Sequence, residues 1–337
     1  AELFCGNDIF QLDLTNPGVP LLQKVLDGTG AVGSFLGLQP FLSESSTAAD
    51  LLAPADCNGD PDCNGLEIAA GYHIYSVDLD LTDGDGYQIK IQRNLNQLNL
   101  TFRGLDGYTT VADLNLDGTP EIIVSNGVQN NGNGIYIWNK NGLVQRFSLP
   151  AFSSMPGMVC IADVYDDRKA GFSQNFPELI VCQKLGLICF NLQKAQSTPA
   201  LHYWWLLDTK DASGATGATV FDFNGDGLSE IVYRDEDHLR ILYGGPVPLP
   251  AGVDNERNWY KTITGSGTLD EYPVVADTDH DGEAEIVVTG YQVPFHDLPV
   301  YSYRGRLRVF ESNALPCNQH VLSGTSTTTS ASTSTTT

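Results

Sequence analysis

Three stretches of this chain repeat one ladder of oxygen-bearing side chains: Asp113-Leu-Asn115-Leu-Asp117-Gly118-Thr-Pro-Glu121, Asp222-Phe-Asn224-Gly-Asp226-Gly227-Leu-Ser-Glu230 and Asp277-Thr-Asp279-His-Asp281-Gly282-Glu-Ala-Glu285. Asp or Asn stands at positions 1, 3 and 5, Gly at 6 and Glu at 9. An apolar segment leads into each copy (Thr109-Thr-Val-Ala112, Tyr272-Pro-Val-Val-Ala276) and a β-branched one leaves it (Ile122-Ile-Val124, Ile231-Val232). Each copy therefore reads as the turn of a β-hairpin. A hairpin repeated at a steady interval restricts the fold to a series of small, similar sheets.

Two looser copies extend the series, beginning at Asp56 and Asp163, so the first Asp recurs at 56, 113, 163, 222 and 277, with spacings of 57, 50, 59 and 55 residues. Such an interval accommodates four strands. A third strand follows each hairpin (His73-Ile-Tyr-Ser-Val77, Ile135-Tyr-Ile-Trp138, Leu187-Ile-Cys-Phe190, His238-Leu-Arg-Ile-Leu-Tyr243, Arg306-Leu-Arg-Val-Phe310). A fourth is read in Tyr87–Ile91, Leu143–Phe147, His202–Leu206 and Trp259–Ile263. Alternation over four to seven residues, with Gly and Asn between the runs, favours strands throughout, and no long amphipathic helix is legible. The expected fold is all-β: a β-propeller of four-stranded antiparallel blades, with five recognisable repeats and six blades within a range of five to seven.

The Asp loops and their flanking strands, over about residues 50 to 312, resemble the FG-GAP or VCBS repeats of secreted bacterial proteins and of integrin α-subunit propellers. The FG and GAP peptides themselves are absent, so the likeness rests on the loops. It implies a closing Glu that opens a β-strand at position 9, where the helix-flanked EF-hand places its Glu at 12. Residues 1–50 fit less well: Asp8–Asp13 reads as a third strand and Pro20–Val25 as a fourth, with no Asp loop before them. They complete the last blade, form half of a sixth, or await strands from a neighbouring molecule. Residues 51–322 carry the repeats, and 323–337, almost wholly Ser and Thr, read as a linker, stalk or O-glycosylated tail.

Calcium takes six to eight oxygen ligands in flexible geometry, which Asp and Asn at alternate loop positions supply. The expected ligands are Asp113, Asn115, Asp117, Thr119 and Glu121; Asp222, Asn224, Asp226, Leu228 and Glu230; and Asp277, Asp279, Asp281, Glu283 and Glu285, the residue at position 7 contributing its backbone carbonyl. In the first copy Asp56, Asn58 and Asp60 stand in register with Glu67 displaced to position 12, and Cys57 and Cys63 bracket the insertion as a disulfide candidate. The copy at Asp163 has Tyr165 at position 3 and an insertion after Asp167 before Glu178, which weakens it as an ion site. The ions are expected to be structural.

Of seven cysteines, Cys182 and Cys189 are read as opposite one another around a turn at Leu185-Gly186, either bridged or as packed thiols. Cys5 and Cys317 flank the first and last strands and could lock a ring. Cys160 is left over, or pairs with Cys182 instead. This cysteine usage favours an oxidising compartment.

Formal net charge is −23, from 41 acidic and 18 basic residues, which argues against nucleic acid and anionic membranes as partners. No apolar run is long enough to span a bilayer, and no basic and apolar leader stands at the start; the opening at Ala1 reads as a processed product or a fragment. No G-x-S-x-G elbow, H-E-x-x-H or phosphate-cradling Gly loop is present, and the six histidines are dispersed. Trp138, Trp204, Trp205 and Trp259 fall on strands, where packing is the expected role, with one of the pair 204 and 205 facing outward. Asn99-Leu-Thr101 is a glycosylation sequon. The expected function is a non-catalytic extracellular or cell-surface module, calcium-stabilised, structural or adhesive, acting as a filament subunit or homopolymer with other protein subunits or surface glycans as partners. The alternative is a carbohydrate-binding lectin, and a polysaccharide lyase or hydrolase comes third.

Overall fold

In the computed structural model the described residues lie within 2–26, 46–95, 107–148, 156–193, 203–243, 259–262, 272–290 and 306–310, with short gaps inside some of these spans. They form six antiparallel sheets, each a meander in chain order. Sheet 1 holds β1 (Glu2–Cys5), β2 (Asp8–Asp13) and β3 (Leu21–Leu26). Sheet 2 holds β4 (Thr47–Ala49), β5 (Glu67–Ala70), β6 (His73–Asp78) and β7 (Gln88–Asn94). Sheet 3 is β8 (Tyr108–Ala112), β9 (Glu121–Asn126), β10 (Gly134–Asn139) and β11 (Gly142–Ser148). Sheet 4 is β12 (Pro156–Ala162), β13 (Glu178–Gln183), β14 (Gly186–Asn191) and β15 (Tyr203–Asp208). Sheet 5 is β16 (Ala218–Phe221), β17 (Glu230–Arg234), β18 (His238–Tyr243) and β19 (Trp259–Thr262), and sheet 6 is β20 (Val274–Ala276), β21 (Glu285–Gly290) and β22 (Arg306–Phe310). The all-β expectation and the four-stranded repeat hold for sheets 2 to 5; among the described residues sheets 1 and 6 have three strands each, and no sheet closes on itself.

The sheets stack face to face in chain order, and strand alternation is what lets one strand serve two interfaces. Ile122 and Val124 of β9 point into a core shared with Ala69 and Ile74 of sheet 2. Their neighbour Ile123 points the other way, toward Leu179, Val181, Ile188 and Phe190 of sheet 4. Sheets 4 and 5 meet through Ile180, Cys182 and Cys189 against Ile231, Tyr233 and Leu242. Val232, Leu239 and Ile241 then meet Ile286 and Val288 of sheet 6. At the other end Ile9 of β2 packs on Ile68, Ala70 and Tyr75. Middle strands covered on both faces lose the polar half of the alternation, as in β13 and β14, where every residue is buried.

Aromatic side chains fill the wider gaps: Phe147 and Phe190 pair across sheets 3 and 4 with ring centroids 4.6 Å apart. Hydrogen bonds also link neighbouring sheets. Thr109 accepts at its carbonyl from Thr47 Oγ1 (3.1 Å) and at its own hydroxyl from the Gly71 N–H (2.7 Å), and Ser125 Oγ donates to the Gly157 carbonyl at 2.7 Å. The first strands of sheets 2 to 6 run beside one another, β4 by β8, β8 by β12, β12 by β16 and β16 by β20, so the loops that follow them are brought into the same series.

Candidate metal loops

The hairpin between the first and second strands of sheets 2 to 6 is built alike five times. The residue before the first Asp pairs with the closing Glu: Ala49 with Glu67, Ala112 with Glu121, Ala162 with Glu178, Phe221 with Glu230 and Ala276 with Glu285. The closing Glu then turns Oε2 back to accept the backbone N–H of the residue after that Asp: Leu51 (2.8 Å), Leu114 (2.8 Å), Val164 (3.0 Å), Phe223 (2.8 Å) and Thr278 (2.7 Å). All five Glu side chains are buried, at 3 % exposure or less. A carboxylate held by a backbone donor at the mouth of a hairpin fixes where the loop starts.

This register corrects the first repeat. Asp50, not Asp56, occupies the place of Asp113, and Glu67 also receives the Leu52 N–H at 3.1 Å. Asp56 and Asp60 sit further along an enlarged loop and are drawn to basic and amide side chains. Lys140 and Arg93 reach Asp56, and Lys90, Gln92 and Ser76 reach Asp60. The Lys140 hydrogen bond leads in holding the Asp56 carboxyl below the usual range, against a smaller burial effect. The Cys57–Cys63 bridge expected from the spacing is formed, with Cα atoms 5.6 Å apart. Asn58 lies outside the described residues.

In the loop after β8, Asp113 accepts the N–H groups of Asp117 (3.1 Å) and Gly118 (2.7 Å), and Asn115 Oδ1 accepts Asp117 N–H at 2.8 Å. Asn115 also donates to Glu121 Oε1 at 2.9 Å. The loop after β16 repeats this: Asp222 accepts from Gly225 (2.7 Å), Asp226 (3.2 Å) and Gly227 (2.9 Å), and Asp226 Oδ1 from Leu228 at 2.9 Å. The Gly at position 6 takes φ of 86° at Gly118 and 87° at Gly227, the reversal expected of it. Position 4 is also left-handed, with φ of 58° at Leu116, 70° at Gly225 and 66° at His280, two of them non-glycine. In the loop after β20, Asp277 Oδ1 accepts the His280 N–H at 2.6 Å, while Asp279, Asp281 and Glu283, like Asn224 of the preceding loop, lie outside the described residues.

Charge is crowded in these turns. Burial, reinforced by Asp117 and Asp113, pushes the Glu121 carboxyl up to about 7. Burial with Asp226 and Asp222 does the same to Glu230, also to about 7, and burial raises Glu67 as well. The donors are all hard oxygens, the class calcium takes. They are spread as acceptors of backbone N–H groups: among the described residues no three His, Cys, Asp or Glu side chains converge as a ready cage. A cation would have to draw them inward.

The loop after β12 is held differently. Asn191 from β14 donates to both Asp167 (3.1 Å) and Glu178 (2.8 Å), and Asp167 also accepts the Phe176 N–H at 2.9 Å. Burial raises the Glu178 carboxyl to about 8 and that of Asp167 to about 6. Nothing in the spacing identified Asn191, which arrives from the third strand. Ser229 N–H donates to the Asp163 carbonyl at 2.9 Å, tying this loop to the next.

No family model and no curated protein matches this chain. Eleven chains of solved structures do. The fold is shared with a biofilm matrix protein. That structure is the V. cholerae biofilm matrix protein Bap1, at a TM-score of 0.51 and 13% sequence identity, with 84% of this chain and 66% of that chain covered. At such identity the likeness to Bap1 extends to the fold, and this chain spans slightly under two thirds of Bap1.

The cysteine register also differs from expectation. The turn residues are Lys184 and Leu185, with Gln183 paired to Gly186, so Cys182 faces Leu187 and Cys189 faces Ile180. Leu185 adopts φ of 61°, which permits the two-residue turn and moves the pairing from the one expected. Cys182 and Cys189 are buried thiols outside any disulfide, and Cys160 is a half-buried one. Burial pushes the Cys160 thiol up to about 11 and raises that of Cys182 well above the ordinary thiol value, so both are held as unreactive thiols. Cys317, Asn99 and residues 323–337 lie outside the described residues, as does the Cys5 side chain. Trp138 is 1 % exposed in the core between sheets 2 and 3, the packing role expected of it. Among the described residues no helix is long and apolar enough to cross a membrane.

Proposed function

We propose that this chain is a non-catalytic extracellular structural or adhesive module, a β-propeller of FG-GAP or VCBS type whose blades are braced by calcium. One observation carries the reading: the same hairpin recurs five times with a buried Glu anchored to the loop's first N–H groups. In the two loops described most fully, two Asp carboxylates per turn press on that Glu. A divalent cation at those oxygens relieves the repulsion that burial otherwise imposes. Asp113, Asn115, Asp117 and Glu121 would hold it in one loop, and Asp222, Asn224, Asp226 and Glu230 in the next. The fold shared with a biofilm matrix protein and the Cys57–Cys63 disulfide support an extracellular setting.

At a dissociation constant of about 10⁻⁴ M and roughly millimolar calcium, each occupied loop contributes about 1.4 kcal/mol. The test is calorimetric titration of calcium into chelator-stripped protein, with thermal melting of the same samples. Stoichiometric binding and a reversible rise in Tm are expected. No heat of binding and an identical melt in excess chelator would reject the reading.

A further inference from the structure

The hairpin recurs five times, yet the loops do not offer a cation the same place. Strand pairing sets Asp50 at position 1 of the loop after β4, which puts Leu52 at position 3 and Pro54 at position 5. Neither carries a side-chain oxygen: Leu52 is buried in the core of sheets 2 and 3, and Pro54 opens the short 3₁₀ turn Pro54–Asp56. The carboxylates further along are already engaged by groups of the chain. Lys140, from the turn between β10 and β11, crosses from sheet 3 to Asp56, and Arg93 Nη2 of β7 stands 3.8 Å from the same carboxylate. Asp60 accepts from Lys90 at 3.3 Å and from Gln92 and Ser76. The loop after β12 is satisfied by another route. Asn191 Nδ2 lies 2.8 Å from Glu178 Oε1 and 3.1 and 3.3 Å from the two Asp167 oxygens, so three acceptor atoms converge on one donor nitrogen. All three side chains are fully buried. In the loop after β8 the donor to Glu121 is Asn115, a ladder residue of the loop itself, whose amide can turn its oxygen to an ion. Asn191 belongs to the buried strand β14 instead.

We propose that the hairpins of sheets 2 and 4 are metal-free clasps: side chains from other strands and turns, Lys140 and Arg93 in one and Asn191 in the other, do the work that a cation does in the loops after β8, β16 and β20. A neutral amide suffices in sheet 4 because burial lifts Glu178 to about 8, so that near neutral pH this carboxyl keeps its proton and the pair needs hydrogen-bond donors more than positive charge. Five hairpins less these two leave three that take an ion. Each clasp also ties its loop to the next sheet. Lys140 joins the loop of sheet 2 to sheet 3, and the Ser229 N–H, donating to the Asp163 carbonyl at 2.9 Å, joins the loop of sheet 4 to that of sheet 5. Self-braced and ion-braced hairpins therefore alternate along sheets 2 to 5, and removal of calcium leaves every second one held. This deepens the calcium-braced reading, on which it rests, by assigning the loops that take the ion.

The test is calorimetric titration of calcium into the chelator-stripped full chain, which should count three ions, one for each of the loops after β8, β16 and β20. Asp113→Asn and Asp222→Asn should each lose one ion, whereas Asp56→Asn and Asp167→Asn should keep the wild-type count. Asn191→Ala takes the shared donor from two buried carboxyls and should melt several degrees below wild type in chelator. Exposed ion pairs such as that of Lys140 with Asp56 contribute little to a melt, so the ion count decides the clasp of sheet 2. A count of four or five, or an ion lost in Asp56→Asn or Asp167→Asn, overturns the proposal, as does Asn191→Ala melting with the wild type in chelator. Should Asn191→Ala not fold, Asp167→Asn, which keeps an acceptor for Asn191, decides the clasp of sheet 4 by its ion count. Wild type that binds no calcium, with Asn191→Ala melting lower in chelator, rejects the braced-module reading and keeps the clasp of sheet 4, so the two failures are told apart.

Discussion

The effect of replacing Glu121 by Gln should depend on calcium. In the cation-free protein the Glu121 carboxyl stands at about 7, raised first by burial and then by Asp117 and Asp113, against an ordinary value of 4.5. Above pH 7 the folded state therefore carries a charge it would shed. The span from 4.5 to about 7 corresponds to roughly 3 kcal/mol as an upper bound, at about 1.4 kcal/mol per pH unit. Gln keeps a carbonyl oxygen for the Leu114 N–H and removes the charge, and it gives up the hydrogen bond from Asn115, whose amide donor then meets an NH2 group. In chelator at pH 8, Glu121→Gln should stabilise the chain by about 1–3 kcal/mol, read from urea unfolding. The folded value lies above the unfolded one, so the penalty is complete above pH 7, shrinks as pH falls toward 4.5 and is gone below it. The advantage of Gln should vanish in step. In millimolar calcium the wild-type protein gains about the 1.4 kcal/mol of one occupied loop and the variant does not, so the advantage of Gln should shrink by that amount. Destabilisation of equal size in chelator and in calcium would refute the reasoning, because it would mean that Glu121 matters only as a hydrogen-bond acceptor.

Replacing Cys57 and Cys63 together by Ala should cost about 2 kcal/mol, the loop-closure value for so short a bridge, measured as a lower urea midpoint with unchanged slope. Trp138→Ala should cost about 3–5 kcal/mol, because it empties the core where Tyr136, Ile122 and Leu52 gather; a loss below 1 kcal/mol would show that the gap between sheets 2 and 3 collapses freely. Alkylation followed by mass spectrometry should leave Cys182 and Cys189 unmodified in the native protein and label both in denaturant, and native labelling of either would contradict the packing between sheets 4 and 5.

Much of the candidate site was legible because its chemistry is local. The turn at Asp113 needs Gly118 at φ of 86°, and a reader of the sequence can see that requirement within six residues. The left-handed Leu116 and His280 were not visible, since neither residue type advertises that conformation, which accompanies the loop's own bonds from N–H groups to side-chain oxygens. The first repeat was misaligned for a related reason. The motif at Asp56 looks better than the bare Asp50-Leu51, but the closing Glu67 finds its partner through strand pairing across an insertion, and pairing takes no account of resemblance.

The sequence by itself determined the element type, the hairpin interval, the oxygen-rich turns and the Cys57–Cys63 clip, all of which rest on residues close together along the chain. Tertiary structure alone decided which Asp begins the first loop, which residues face Cys182 and Cys189, and that Asn191 bridges two buried carboxyls. Alternation along a strand says that two faces exist; only the neighbouring sheet says which of them is covered.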